Sequence, residues 1–300
     1  MEQIKKRHHY VWREYLRSWT EKDDLVYTFF KKENKVIKTN LINIAQEKFF
    51  YSSEDFTIEE TEYLKDLTLR LSDSYSLPAN LNILSAFTLY SNIKIKLNKN
   101  NIDFNEEELK FIRTNFIEDL HSKFENYGKK LIAVKQLDDL IFLKDQKELL
   151  KTMIFLCFQY GRTKNMKNSF SKTSFSIKYN NPISLIIGNT MANKLTFEKK
   201  LRFKLLVNKS NVNFITSDQP IINLVDRNGD GSVDDLVFYY PLSPEIALKI
   251  DYKNNESSFE SVNIVESMVR YLNSKIHQYS NNLVFSKSEQ QILKYKSSNN

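Results

Sequence analysis

Glycine and proline are scarce in this 300-residue chain, five of each. A Gly-rich phosphate loop needs clustered glycines so that backbone amides can approach the anion. An all-β fold needs glycine and proline at its many tight turns, so both classes are disfavoured. The single cysteine, Cys157, rules out an intrachain disulfide framework and any multi-cysteine metal site. It lies in the apolar run Met153-Ile154-Phe155-Leu156-Cys157-Phe158, which suits a buried structural thiol rather than a nucleophile. No run of about 18 apolar residues occurs, so no membrane-spanning helix and no membrane partner are expected. The basic start, Met1 to His9, lacks the apolar segment of a signal peptide, and the cytoplasm is the expected location.

What is present is a hydrophobic content of 41%, with 13% aromatic residues, enough to build a substantial core. The net charge of +7 arises from 44 basic and 37 acidic residues scattered among one another. It is compatible with a polyanionic partner such as nucleic acid, but equally with an ordinary solvated surface.

Val11, Tyr15 and Trp19 recur at helical spacing, and Leu25–Phe30 with Lys35–Thr39 reads as a β-hairpin. Residues 57–160 read as mainly helical. Thr57-Ile-Glu-Glu is a capping box, Asn105-Glu-Glu-Glu is a second helix start, and Pro78 interrupts the region once. A third helix, from about Lys144 to Tyr160, is nearly all apolar in its final third and therefore central to the core. After residue 165 the texture turns β-rich, with strands expected near 202–207, 213–217, 221–225, 236–240 and 246–250. A helix is expected over Ser261–Gln278, on the spacing of Val262, Val265, Val269, Leu272 and Ile276, and a last strand at Asn282–Ser286. The order predicts one α+β domain: an N-terminal helix and hairpin (1–56), a helical part (57–165) and a part with an antiparallel sheet (166–300).

Three places could carry chemistry. His8 and His9 precede the first helix, and histidine is the natural proton shuttle or metal ligand near neutral pH, although a surface pair is the plainer reading. Gln159-Tyr160-Gly161-Arg162-Thr163 ends the most apolar helix, and a guanidinium delivered there must meet a carboxylate or face an anion pocket. Phe214-Ile215-Thr216-Ser217-Asp218-Gln219-Pro220 ends a β-rich stretch in small polar residues. There Asp218 could orient a histidine, hold a metal, pair with an arginine or make a turn through its own side chain.

Taken in order, these segments resemble the uncharacterised, mainly bacterial family known as domain of unknown function 4238. The carrying residues are His9-Tyr10 with Tyr15-Leu16, then Phe49-Phe50-Tyr51, then Gln159, Arg162 and Thr163. They continue with Thr216 to Pro220, Pro241-Leu242-Ser243-Pro244 and Asn273 in the closing helix. One departure is visible. The family usually has proline and glutamine after the His-Tyr-Val, where this chain has Trp12 and Arg13. The resemblance implies a helical α+β domain and no particular activity.

Asp226, Asn228, Asp230 and Asp234 match the oxygen-ligand positions 1, 3, 5 and 9 of a calcium loop, with Gly231 at position 6. The acid needed at position 12 is absent, since Val237 stands there. A Gly-rich hairpin tip is the plainer reading, and a divalent ion, magnesium or calcium, the sharper one.

These residues lead to an expected nuclease-like hydrolase of nucleic acid, of the kind used as a toxin in antiviral defence. His9, with His8, would move the proton, Arg162 would meet the developing charge, and Asp218 would orient the histidine or hold a metal. Gln159, Thr163, Ser217 and Asn273 would position the substrate, and such a toxin requires a regulatory or inhibitory protein partner. The alternative is a non-enzymatic module that binds a phosphate-bearing ligand in the same place.

Overall fold

The computed structural model describes residues 7–48, 55–164, 166, 177–225, 235–252 and 256–296. The N-terminal part comprises β1 (Arg7–His9), α1 (Arg13–Leu16), β2 (Leu25–Phe30), β3 (Lys35–Asn40) and β4 (Gln46–Lys48). The helical middle comprises α2 (Ile58–Leu71), α3 (Leu77–Lys99), α4 (Glu106–Tyr127), α5 (Lys129–Ile132), α6 (Gln146–Gly161) and α7 (Asn180–Glu198). The remainder comprises β5 (Arg202–Asn208), β6 (Thr216–Ser217), β7 (Ile222–Asn223), β8 (Phe238–Pro241), β9 (Ile246–Asp251), β10 (Ser258–Ile264), α8 (Glu266–Tyr279), β11 (Leu283–Ser286) and α9 (Glu289–Leu293). The fold class is α+β, with helices in the middle and sheets after them.

The helix starts follow from local chemistry. At the head of α2, Thr57 accepts the Glu60 amide at 3.2 Å while Glu60 accepts the Thr57 amide at 2.8 Å, which satisfies two otherwise orphaned donors. The Asn105 side chain accepts from the amides of Glu107 and Glu108 at the head of α4. Pro78 does not break a helix. It sits in the first turn of α3, where its missing N–H costs nothing and its fixed φ suits the start.

Several elements differ from the sequence expectation, and the strands expected over 213–217 and 221–225 shorten to Thr216–Ser217 and Ile222–Asn223. The segment expected as one helix over 261–278 is divided: β10 ends at Ile264, Val265 is the N-cap, and only 266–279 is helical. Val262, Val265 and Val269 fall at helical spacing, but β-branched residues also suit the strand that β5 draws into parallel pairing. Helix α7 was not anticipated. It is buried on nearly every side, from Pro182, Ile183 and Leu185 to Asn189, Asn193 and Leu195, so no polar stripe marks it. Its buried amides are matched instead. Asn80 of α3 donates to Thr190 at 2.8 Å, and Asn189 donates to Asn80 at 2.8 Å.

The five-stranded sheet runs β10-β5-β9-β8-β7, mixed because β10 and β5 are parallel. A second, antiparallel sheet runs β3-β2-β11-β6, so the first hairpin pairs with the last strand, Thr28 opposite Phe285. Beneath them Trp12, Tyr15, Trp19, Phe155 and Tyr240 form the centre of the largest core cluster, and Cys157 is buried in it. Among the described residues, no helix is long and apolar enough to cross a membrane.

Candidate functional site

The polar residues singled out in the sequence meet where β1, the end of α6 and the segment from Phe214 to Ile221 come together. Tyr15 sets the frame. Its hydroxyl donates to the Pro241 carbonyl at 2.7 Å, so the 2.6 Å contact with Thr216 has the threonine hydroxyl as donor. Asn273 on α8 clamps the same segment from the other side. It accepts the Ile215 amide at 3.0 Å and donates to the Asn213 carbonyl at 2.8 Å.

At the end of α6, Arg162 is 4% exposed. Its Nη2 donates to Gln159 Oε1 at 2.6 Å and to Glu125 Oε1 at 2.8 Å. This is the carboxylate partner that a buried guanidinium requires. Gln159 passes the connection on by donating to the Tyr10 carbonyl at 3.2 Å. Thr163 hydrogen-bonds to the Gln219 side chain, whose amide nitrogen donates to the Ile221 carbonyl at 2.7 Å.

His8 and His9 lie on β1, opposite Glu47 and Gln46 of β4. His8 is buried, with Nε2 3.1 Å from Glu118 Oε1. His9 is half-buried. Burial above all, then the charges of Arg13, Arg162 and His8, holds its pKa below the usual imidazole value, against an opposing hydrogen bond to the Leu41 backbone. Its ring is therefore neutral at pH 7.

Asp218 does different work. Its carboxylate accepts the amides of Asn281, Asn282 and Leu283 at 2.8, 2.8 and 2.9 Å. Burial raises its pKa, while these three amides and the Lys31 ammonium oppose the rise. Lys31 is held at the end of α8 by the carbonyls of His277 and Ser280 at 2.9 and 3.0 Å. Ser217 accepts the Gln219 amide at 3.1 Å and shapes the turn after β6.

The structure thus brings His9, Gln159 and Arg162 into one environment and joins Thr163 to Gln219. Asp218 serves a neighbouring turn, and its hydrogen bonds go to that turn's backbone rather than to His9 or Arg162. The candidate metal residues Asp226, Asn228, Asp230 and Asp234, and the aromatic segment Phe49-Phe50-Tyr51, lie outside the described residues. Among the described residues no group of three or more histidine, cysteine or acidic side chains is arranged to hold a metal ion.

Two cavities flank the network. The larger, about 820 Å³, is lined by Trp12, Glu14, Arg17, Glu125, Lys129 and Ile132 among others. The smaller, about 230 Å³, is lined by Tyr10, Phe30, Lys32, Asn43, Gln46, Lys164, Asn281 and Asn282, with Ile44, Ala45 and Leu283. Each of the three sequence elements reaches this smaller cavity. Tyr10 follows His9, Lys164 follows Thr163, and Asn281 to Leu283 are the residues whose amides Asp218 holds. Sequence reasoning missed Lys164, Glu47, Glu125 and the asparagine pair, and named Gln219 only as part of its segment. Only Lys164 carried a local signal, a cation beside Thr163.

In comparison with protein families the chain matches the family described as Protein of unknown function (DUF4238), over residues 7–290. No curated protein and no solved structure matches the chain.

Proposed function

Because the chain belongs to the DUF4238 family, whose description carries no activity, we propose from the site alone that it binds a phosphate-bearing ligand in the smaller cavity. The observation that carries this reading is that Lys32 and Lys164 line one concave site together with four amide-bearing residues, Asn43, Gln46, Asn281 and Asn282. Ammonium groups and amide N–H donors are the partners a phosphate requires. The larger cavity fits an anion less well, since two carboxylates, Glu14 and Glu125, line it beside Arg17 and Lys129, whereas Glu47, the partner of Lys164, is not among the residues that line the smaller one. At about 230 Å³ the smaller cavity lies below the usual ligand-site range of roughly 300–1,000 Å³, which suits the end of a ligand rather than the whole. In this reading the hydrogen-bond network behind it holds the cavity walls in place, and the module would serve as a ligand sensor of a defence system.

One observation favours a second reading, a nucleic-acid hydrolase. The His9 imidazole is neutral beside the Arg162 guanidinium, an arrangement suited to proton abstraction next to a charge-stabilising cation. It ranks second because the Asp218 carboxylate, needed there as orienter or metal ligand, already accepts three backbone amides.

One experiment separates the two. Purified protein is incubated with end-labelled RNA and DNA, with and without magnesium or calcium, and retention and product length are read in parallel. Retention of labelled material without shortening supports the binding module. Shortening that disappears in His9→Asn supports the hydrolase, and no shortening under any of these conditions counts against it.

A further inference from the structure

Resting on the phosphate-ligand reading, we infer that the cavity takes a phosphate monoester, a dianionic terminal phosphate, and that Glu47 competes with it for Lys164. Lys164 Nζ stands 2.6 Å from Glu47 Oε2, and 5.0 Å above the Tyr10 ring. A ligand that enters must take this ammonium away from a carboxylate of charge −1. A phosphodiester also carries a single negative charge spread over its oxygens, so it offers Lys164 no more than Glu47 does. A monoester, with a second pKa near about 6, carries close to two charges at neutral pH and three acceptor oxygens. Only the dianion matches both lining ammoniums, Lys164 and Lys32.

The surroundings fit an end group. The Lys32 amide donates to Asn282 Oδ1 at 2.9 Å, which occupies that oxygen and leaves the Asn282 amide nitrogen as the donor for a ligand. A strand threaded through its internal phosphates needs a groove open at both ends, whereas about 230 Å³ holds little beyond a phosphate and part of what bears it. Glu47 is 49% exposed, so it can swing into water when displaced, at the modest cost of an exposed ion pair. The pair therefore lowers the affinity for every anion by the same factor, and the preference for a dianion comes from the two ammoniums, Lys164 and Lys32.

The test is calorimetric titration of wild type and Glu47→Gln with adenosine 5′-monophosphate and with adenylyl-adenosine, which carries only an internal diester. Wild type is expected to bind the monophosphate at least about tenfold more tightly than the diester, and Glu47→Gln to bind the monophosphate at least about threefold more tightly than wild type does. A tetranucleotide with and without a 5′-phosphate then distinguishes a free nucleotide from a phosphorylated chain end as the source. Equal affinity of wild type for both adenosine probes overturns the monoester assignment but leaves the phosphate reading standing. Unchanged affinity of Glu47→Gln for the monophosphate overturns the competing role of Glu47. Failure of wild type to bind any probe overturns the phosphate reading itself.

Discussion

Asp218 and Leu283 are bonded in both directions: the Asp218 amide donates to the Leu283 carbonyl at 2.9 Å, and the Leu283 amide donates to the Asp218 carboxylate at 2.9 Å. This reciprocal pair seals the end of β6 to the start of β11, and the same carboxylate takes the amides of Asn281 and Asn282. Replacing Asp218 with alanine leaves three backbone donors without an acceptor. The expected loss is about 3 kcal/mol, read as a lower urea midpoint with an unchanged slope, and Asp218→Asn, which keeps one acceptor oxygen, loses less.

The Arg162–Glu125 pair is a second anchor. Arg162→Met removes the guanidinium but leaves the Glu125 carboxylate and the Gln159 oxygen without their donor, at an expected cost of about 3 kcal/mol. The double variant Arg162→Met/Glu125→Leu removes both charges. It is expected to lose clearly less than the two single losses added together, a coupling of about 1–2 kcal/mol in a double-mutant cycle.

Gly128 tests the packing under the same helix. A Cβ at this position would lie 2.6 Å from two carbons of the Phe155 ring. Phe155 cannot retreat, because it is buried and packed edge-on to Trp12 with ring centroids 5.7 Å apart. Gly128→Ala is therefore expected to destabilise by about 1–3 kcal/mol in equilibrium unfolding, although its backbone angle suits alanine.

His9 gives the pH dependence. Its folded pKa lies below the ordinary 6.5, so the unfolded chain binds more protons at mildly acidic pH. Its contribution is full above pH 6.5 and is lost as pH falls from there towards the lowered folded value. His277, lowered by burial and by Lys31, acts in the same sense. Urea midpoints measured from pH 7.5 down to 5.5 should fall in wild type and fall less steeply in His9→Gln.

The parts of the fold that were legible in the sequence are those with local causes. Thr57 with Glu60, and Asn105 before three acids, announce helix starts because a cap needs only its own first turn. Helix α7 was hidden because burial on nearly every side erases the polar stripe from which a helix is read. Strand β10 was misread because valines spaced for a helix also suit a strand once β5 lies beside them.

The site divides in the same way. That Arg162 needs a carboxylate follows from burying a charge, but that the carboxylate is Glu125, 37 residues earlier, is a matter of tertiary packing. Tyr15, Thr216, Pro241, Gln159 and Asn273 stand out in the sequence, and in the structure they mostly bond to one another or to nearby backbone. The pattern that marks the chain therefore marks a buried scaffold. The proposed ligand groups Lys32, Lys164, Asn281 and Asn282 lie beside it, on residues that show no regular spacing.

The most direct measurement is titration of adenosine 5′-monophosphate into wild type and into Lys32→Ala/Lys164→Ala, at low salt and matched folding. Saturable one-site binding to wild type, weakened at least about tenfold in the double variant, is the predicted result. Equal binding to both proteins, or no saturable binding to wild type, would contradict the assignment of this cavity to a phosphate-bearing ligand.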